Sequence, residues 1–249
     1  MKVSVLMPVY NEERYVKLVI DRLTSLSYVD EIIVIDDGST DSSWSIICGI
    51  KNNKIIKKKL EKNLGKTAAI NEAIKIANGD IFAIQDADLE YDPYELELLV
   101  ELIKKDKTDV VFGSRFLMKE ESRSIYFHHY VGNKVITFLS NRFTNMNMTD
   151  VETCYKVFRA PIIKDIGFTS SRFGMEVEIT ALISSFKLRV CEVPVSYYGR
   201  TYEEGKTIRL LDGVYAIWYI LYYNLYYVRK RKIKKHKKFI REVLKLHIL

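Results

Sequence analysis

The chain has 249 residues, 48% of them hydrophobic and 29% charged, with four prolines and eleven glycines. These proportions exclude a disordered chain and a long flexible linker, and the length suits one large domain with or without an appendage. The net charge of +7 is local: residues 229–249 hold ten Lys/Arg and one Glu, leaving 29 basic and 31 acidic groups in a slightly acidic body.

From the N-terminus, the apolar run 3–7, bounded by Pro8, reads as a strand. It is too short for a signal peptide and lacks a small-residue cleavage pattern. Asn11 is placed to cap a helix reaching Leu26, with Val16, Val19, Ile20 and Leu23 on one face. A strand at 32–35 ends in the turn DDGSTD, a helix follows over 44–50, and a short strand over 55–58. Residues 65–78 carry Ala69, Ile70, Ala73, Ile74 and Ala77 at helical spacing, with Gly79 as terminator. A strand at 81–84, a helix at 93–104 and a strand at 110–112 complete the first half. Apolar strands alternating with helices predict an α/β fold, a mostly parallel sheet with helices on both faces. Ligands bind such sheets beyond the carboxyl ends of the strands, and PVYNE, DDGSTD and QDADLE each follow one.

The second half is less regular. Helices are expected at 126–143 and 173–185, a strand at 188–193, then the loop YYGRTYEEGKT. The longest run free of Asp, Glu, Lys and Arg, 213–228, has sixteen residues. A membrane span needs ~20, so no transmembrane helix is predicted. Cys48, Cys154 and Cys191 are scattered without metal-ligand spacing, which suits a reducing compartment.

Asp86, Asp88 and Glu90 stand two apart, so an extended chain would point them the same way. Either they form a solvated acidic turn, or a hard divalent cation, Mg²⁺ or Mn²⁺, sits among their oxygens. Their place beside two other polar strand exits favours the cation. Asp37 can accept from a base N–H or a ribose hydroxyl, or simply serve a turn, as Asp36 and Asp41 can. Gly65 and Lys66 precede a helix N-terminus, a suitable neighbour for a diphosphate. Neither a P-loop nor G-x-G-x-x-G is present.

The segments PVYNE (8–12), DDGSTD (36–41), NLGKTAAINEA (63–73) and DADLEYDP (86–93), in this order, resemble a family 2 glycosyltransferase with the GT-A fold. GSRF (113–116), TDVETCYKVFR (149–159), RFGMEVEITA (172–181) and PVSYYGRTYEEGKTIRLLDG (194–213) are similar to the branch that makes dolichyl- or polyprenyl-phosphate sugars. The resemblance implies a catalytic domain over 1–212. Its expected reaction is metal-dependent, inverting transfer of a hexose from a nucleotide-sugar donor, GDP-mannose or UDP-glucose, to a lipid-phosphate acceptor. It further implies that Pro8, Tyr10 and Glu12 line the nucleotide pocket, that Asp37 reads the base, and that Asp86, Asp88 and Glu90 hold the metal. Mannosyl members often carry Gln where this chain has Glu90. Arg115, Arg200 and Lys206 would lie near donor or acceptor phosphates, and Asp150 occupies the place of an acceptor-side carboxylate.

Residues 213–249 read as an aromatic and then basic segment. Seven Tyr and Trp residues fall within 215–227, followed by RKRKIKKHKK. This suits the headgroup level of an anionic bilayer, hence peripheral attachment at the cytoplasmic face of a membrane. The same helix could instead pack on the body with its lysines solvated. No nucleic-acid motif accompanies the basic tail. A saccharide acceptor, or a non-catalytic sugar-nucleotide- or membrane-binding module, are the alternatives. A sugar nucleotidyltransferase would show a Gly-rich basic loop where this chain has PVYNEE.

Overall fold

In the computed structural model, which describes residues 1–117, 126–164, 166–171, 174–201, 203 and 210–245, the sheet grows from its first strand. Strand β1 (Val3–Val9) pairs in parallel with β2 (Glu31–Asp36) on one side and β4 (Ile81–Ile84) on the other. β3 (Ile55–Lys59) lies parallel to β2. Beyond β4, β6 (Lys156–Arg159) runs antiparallel between β4 and β5 (Val110–Ser114), and β7 (Val190–Pro194) lies parallel to β5 at the far edge. The seven-stranded order is β3-β2-β1-β4-β6-β5-β7. The chain runs outward from β1 through β2 to β3 and then crosses back to β4 on the other side of β1, so the crevice beyond the carboxyl ends of β1 and β4 is the topological switch point where such sheets bind ligands.

Side chains two apart on a strand share a face, and this divides the core into two layers. Val3, Val5, Met7 and Val9 of β1 enter one layer with Ile20 and Leu23 of α1 (Val16–Ser25) and Leu99 and Ile103 of α4 (Leu96–Lys104). Ile47 of α2 (Ser43–Gly49) joins them. Leu6 faces the other layer with Ile70 and Ala73 of α3 (Lys66–Ile76) and Ile179 and Ile183 of α6 (Met175–Phe186). Ile136 of α5 (Phe127–Thr144) also reaches that layer.

Helix α7 (Leu210–Leu225) runs across the boundary expected at 212/213 and packs against α5 and α6. Its Ala216, Ile220 and Tyr223 belong to the same core as the sheet. Helix α8 (Arg231–Lys245) turns Ile233, His236 and Ile240 onto the body, and His236 Nε2 lies 3.0 Å from the Ile162 carbonyl. The tail therefore packs inward along one side, and Lys234, Lys235 and Lys238 are exposed on the other.

Several local expectations change. Asn11 does not cap α1; at φ 53° it turns the chain back, and its side-chain oxygen accepts from Thr40 N at 2.9 Å. Helix α3 ends at Ala77 rather than Gly79, whose N–H donates to Ser4 Oγ at 2.8 Å. Residues 93–95 form a 3-10 turn before α4. Strand β6 was not expected at all.

Candidate active site

The exits of β1 and β2 are tied to each other. Asn11 N donates to Ser39 Oγ at 3.0 Å and Glu12 N to Ser43 Oγ at 2.8 Å, while Asp41 accepts from Glu13 N and Ser43 N. Gly38, at φ 71°, lets the DDGSTD turn lie against the next loop: a Cβ there would stand 2.6 Å from the Lys62 carbonyl carbon. Pro8 pairs with Ile35 inside β1, and Tyr10 stands exposed at its mouth.

Asp37 is buried, and its two oxygens accept from Leu64 N at 2.9 Å and Gly65 N at 2.7 Å. Burial raises its pKa while these amides oppose the rise. Here Asp37 fastens the loop that launches α3, and a base contact would have to use its remaining lone pairs. Gly65 sits at φ 92°, ψ 158°, a region essentially closed to side-chain-bearing residues. That turn sends Lys66 back across the sheet edge to Asp86.

Lys66 Nζ lies 2.9 Å from Asp86 Oδ1, 3.2 Å from Cys154 Sγ and 3.5 Å from Glu176 Oε1. Burial alone would lower the ammonium pKa, but the Asp86 and Glu176 carboxylates outweigh it and hold it well above its ordinary value. Burial also works against the Asp86 carboxylate, yet Lys66 and a hydrogen bond from Cys154 keep that group low. Cys154 and Glu176 escaped the sequence reading because they lie 88 and 110 residues from Lys66, with no local spacing to mark them.

The acidic triplet does not form one ligand set. Leu89 has φ 59°, so the extended alternation breaks between Asp88 and Glu90. Glu90 is turned aside, accepting from Tyr197 Oη at 2.9 Å and Arg200 N at 2.8 Å. Among the described residues no three His, Cys, Asp or Glu side chains are arranged to hold a metal ion. Glu90, expected as the third ligand, is thus not brought together with Asp86 and Asp88 here.

Asp88 accepts from Arg200 Nη2 at 3.0 Å, and the same guanidinium reaches Glu12 Oε1 at 2.7 Å. Burial, with Asp86 and Glu90 alongside, still pushes Asp88 up to about 7. The site thus carries more negative charge than its own cations balance. Asp86 and Asp88 offer oxygen donors only, and Mg²⁺ typically takes one or two carboxylates plus substrate phosphates. The pair fits a hard divalent cation without a third protein carboxylate.

At the far end, Arg115 grips Asp150 through Nε (2.7 Å), Nη2 (2.8 Å) and its backbone N–H (3.0 Å). Asp150 is fully buried. Arg115 also donates to Asn133 Oδ1 at 3.2 Å and lies 5.1 Å from the Tyr197 ring centroid. Both Asp150 oxygens are thus held by one guanidinium, which fixes the Arg115 side chain in place. Glu152 was also missed: burial, and then Glu176, push it up to about 8, and its Oε1 is buried without a hydrogen-bond partner. Lys206, expected near the phosphates, lies outside the described residues.

Residues 4–167 match the family described as Glycosyl transferase family 2. Undecaprenyl-phosphate 4-deoxy-4-formamido-L-arabinose transferases of Salmonella choleraesuis (strain SC-B67) and Salmonella newport (strain SL254) are each 32% identical over 225 residues, 87% of this chain. The chain spans 66% of the length of these relatives. In fold it is similar to glucosyl-3-phosphoglycerate synthase from Mycobacterium tuberculosis, solved with Mn²⁺, UDP and glucosyl-3-phosphoglycerate. That match has a TM-score of 0.70 at 19% identity, over 90% of this chain and 80% of that one. S. aureus TarS 1-349 with UDP-GlcNAc matches at TM-score 0.61 and 20% identity, over 95% of this chain and 69% of that one. The GT-A fold expected from the motifs is the fold observed.

Proposed function

The chain belongs to glycosyl transferase family 2, and on that premise we propose that it moves a sugar from a nucleotide-sugar donor to a polyprenyl phosphate. The observation that carries this reading is the charge arrangement at the switch point. Glu12 and Asp88 converge on Arg200 beside the Lys66–Asp86 pair, which suits a diphosphate bound with a cation. The Salmonella relatives, named for undecaprenyl phosphate, support the acceptor class.

In the reaction an acceptor phosphate oxygen attacks the anomeric carbon. The bond from that carbon to the diphosphate oxygen breaks, with inversion, and the nucleoside diphosphate leaves. When bound, a divalent cation held by Asp86 and Asp88 would supply Lewis-acid neutralisation of the leaving group. Lys66 and Arg200 add fixed positive charge at the same end. Arg115, whose Nε and Nη2 are held by Asp150, keeps Nη1 for an acceptor phosphate. A phosphate monoester with a second pKa of about 6 is already largely ionised at pH 7, so the attack needs no base. GDP-mannose and UDP-glucose remain the hexosyl candidates. The relatives' formamido-arabinose, a pentose derivative, widens the panel.

Among the described residues no helix is long and apolar enough to cross a membrane. The exposed aromatic side of α7 supports peripheral attachment, at the cytoplasmic face where sugar nucleotides are made. The test incubates the chain with detergent-solubilised undecaprenyl phosphate, labelled sugar nucleotides, and Mn²⁺ or EDTA. Label should enter the organic phase with one donor and only with metal. Label found solely on water-soluble saccharide would overturn the acceptor assignment.

A further inference from the structure

Residues 145–155, between α5 and β6, form neither helix nor strand, yet they carry the fully buried Asp150. Buried backbone groups outside regular elements must find partners elsewhere, and here side chains supply them. Asn141 of α5 takes both backbone groups of Met148, at 3.0 and 2.7 Å. Thr137 Oγ1 accepts from Val151 N at 3.3 Å. Lys156 Nζ donates to the carbonyls of Val151, at 3.2 Å, and Thr153. The amides of Thr149 and Asp150 go to a single residue outside all the motif segments. Glu192 of β7 accepts from Thr149 N at 2.8 Å through Oε2 and 2.9 Å through Oε1, and from Asp150 N at 3.2 Å through Oε1. An ionised carboxylate makes the stronger, charge-assisted kind of bond to such amides.

The sheet gives this grip a direction. Strands β5 and β7 run parallel with Phe112 opposite Glu192, and Arg115 follows directly on the end of β5. Arg115 takes both oxygens of Asp150, while Glu192 takes its backbone N–H. Asp150 is thus suspended between two neighbouring strands, its carboxylate fixed from one and its main chain from the other. Ser114 Oγ and Thr149 Oγ1, 2.6 Å apart, close the same gap. The aspartate side chain is short, so a shift of the Thr149–Asp150 peptide carries both carboxylate oxygens and the guanidinium with it.

We infer that Glu192 is a positioning residue for the acceptor phosphate: it fixes the main chain at Asp150 and, through Asp150, the aim of the Arg115 guanidinium. The identity of the acceptor rests on the polyprenyl-phosphate reading; the mechanical link from Glu192 to Arg115 does not.

The test uses the full chain, detergent-solubilised undecaprenyl phosphate and two variants. Glu192→Met is similar in length but has no acceptor atom for the amides, and Glu192→Gln keeps one carbonyl oxygen. Glu192→Met should raise the acceptor KM at least tenfold, with kcat and nucleotide affinity within threefold. Glu192→Gln should show the same split at about threefold. Added to Asp150→Asn, Glu192→Met should cost less than a further twofold, because both changes act through one contact. In ¹⁵N-labelled protein the Arg115 Nε–H should exchange with solvent at least tenfold faster in Glu192→Met than in wild type. An acceptor KM within twofold of wild type in both variants, full additivity with Asp150→Asn, or unchanged Arg115 exchange would overturn the inference. So would a parallel loss of kcat, nucleotide affinity and urea midpoint, since Glu192 would then only hold the fold together. Should wild type transfer nothing to undecaprenyl phosphate from any donor, the acceptor reading fails, and the Arg115 exchange rate alone decides the link to Glu192.

Discussion

Asp150 and Glu152 sit two residues apart in TDVETC yet meet opposite electrostatic conditions. Asp150 has a guanidinium across both oxygens; Glu152 Oε1 has no partner and lies near Glu176. Asp150→Asn should leave Arg115 loosely aimed, raising the acceptor KM more than it lowers kcat and leaving the acid limb of the pH profile in place. A lost acid limb in steady-state kinetics would show instead that Asp150 takes a proton. For Glu152 the sign follows from linkage. Its folded pKa, about 8, lies above the ordinary 4.5, so the folded state keeps a proton that the unfolded chain releases. Its contribution to stability is present below about 4.5 and is lost as pH rises through 8. Urea midpoints at pH 6, 7 and 8 should fall more steeply for wild type than for Glu152→Gln. At this scale the sequence announced the carboxylates but not their roles. The backbone turn at Leu89 and the long-range approach of Cys154, Glu176 and Tyr197 leave no trace in local spacing.

The connecting loops position the chemistry as much as the strands do. Gly65 turns the chain through a conformation that side-chain-bearing residues avoid, and its N–H anchors to Asp37. Gly65→Ala should cost about 1–3 kcal/mol by urea denaturation and weaken donor binding by displacing Lys66. An unchanged midpoint would mean that the loop relaxes freely. Strands β1, β2 and β4 were readable because they are buried on both faces and so almost wholly apolar. Strand β6 was not, because KVFR opens on a lysine. Lys156 is nonetheless fully buried, donating to the carbonyls of Val151 and Thr153. A buried lysine satisfied by carbonyls cannot be told from a surface one by pattern. Helix α8 shows the converse. Its basic run suggested attachment to an anionic bilayer, with packing on the body as the alternative; Ile233, His236 and Ile240 are spaced to bury one face, and Ile240 is fully buried. Ile240→Ala should therefore destabilise the whole domain by about 2–5 kcal/mol, with donor and urea unfolding moving together. An effect under about 0.5 kcal/mol, within the range of surface changes, would mean that α8 detaches from the body.

Across the whole molecule, charge is partitioned by task. Acidic groups gather at the switch point, single cations are set among them, and Arg115 stands with Asp150 at the far end. On the proposed function, this layout would bring a nucleotide-sugar donor and a lipid-phosphate acceptor to one crevice; among the described residues no helix is long and apolar enough to cross a membrane. It depends on Asp86 and Asp88 needing a further cation that arrives with the donor. Titration calorimetry of GDP and UDP, with and without Mn²⁺, on wild type and Asp88→Asn addresses that dependence directly. One nucleotide should bind wild type at least a hundredfold more tightly with Mn²⁺, and Asp88→Asn should abolish the gain. Equal affinity with and without the metal, or a gain that survives in Asp88→Asn, would contradict the account.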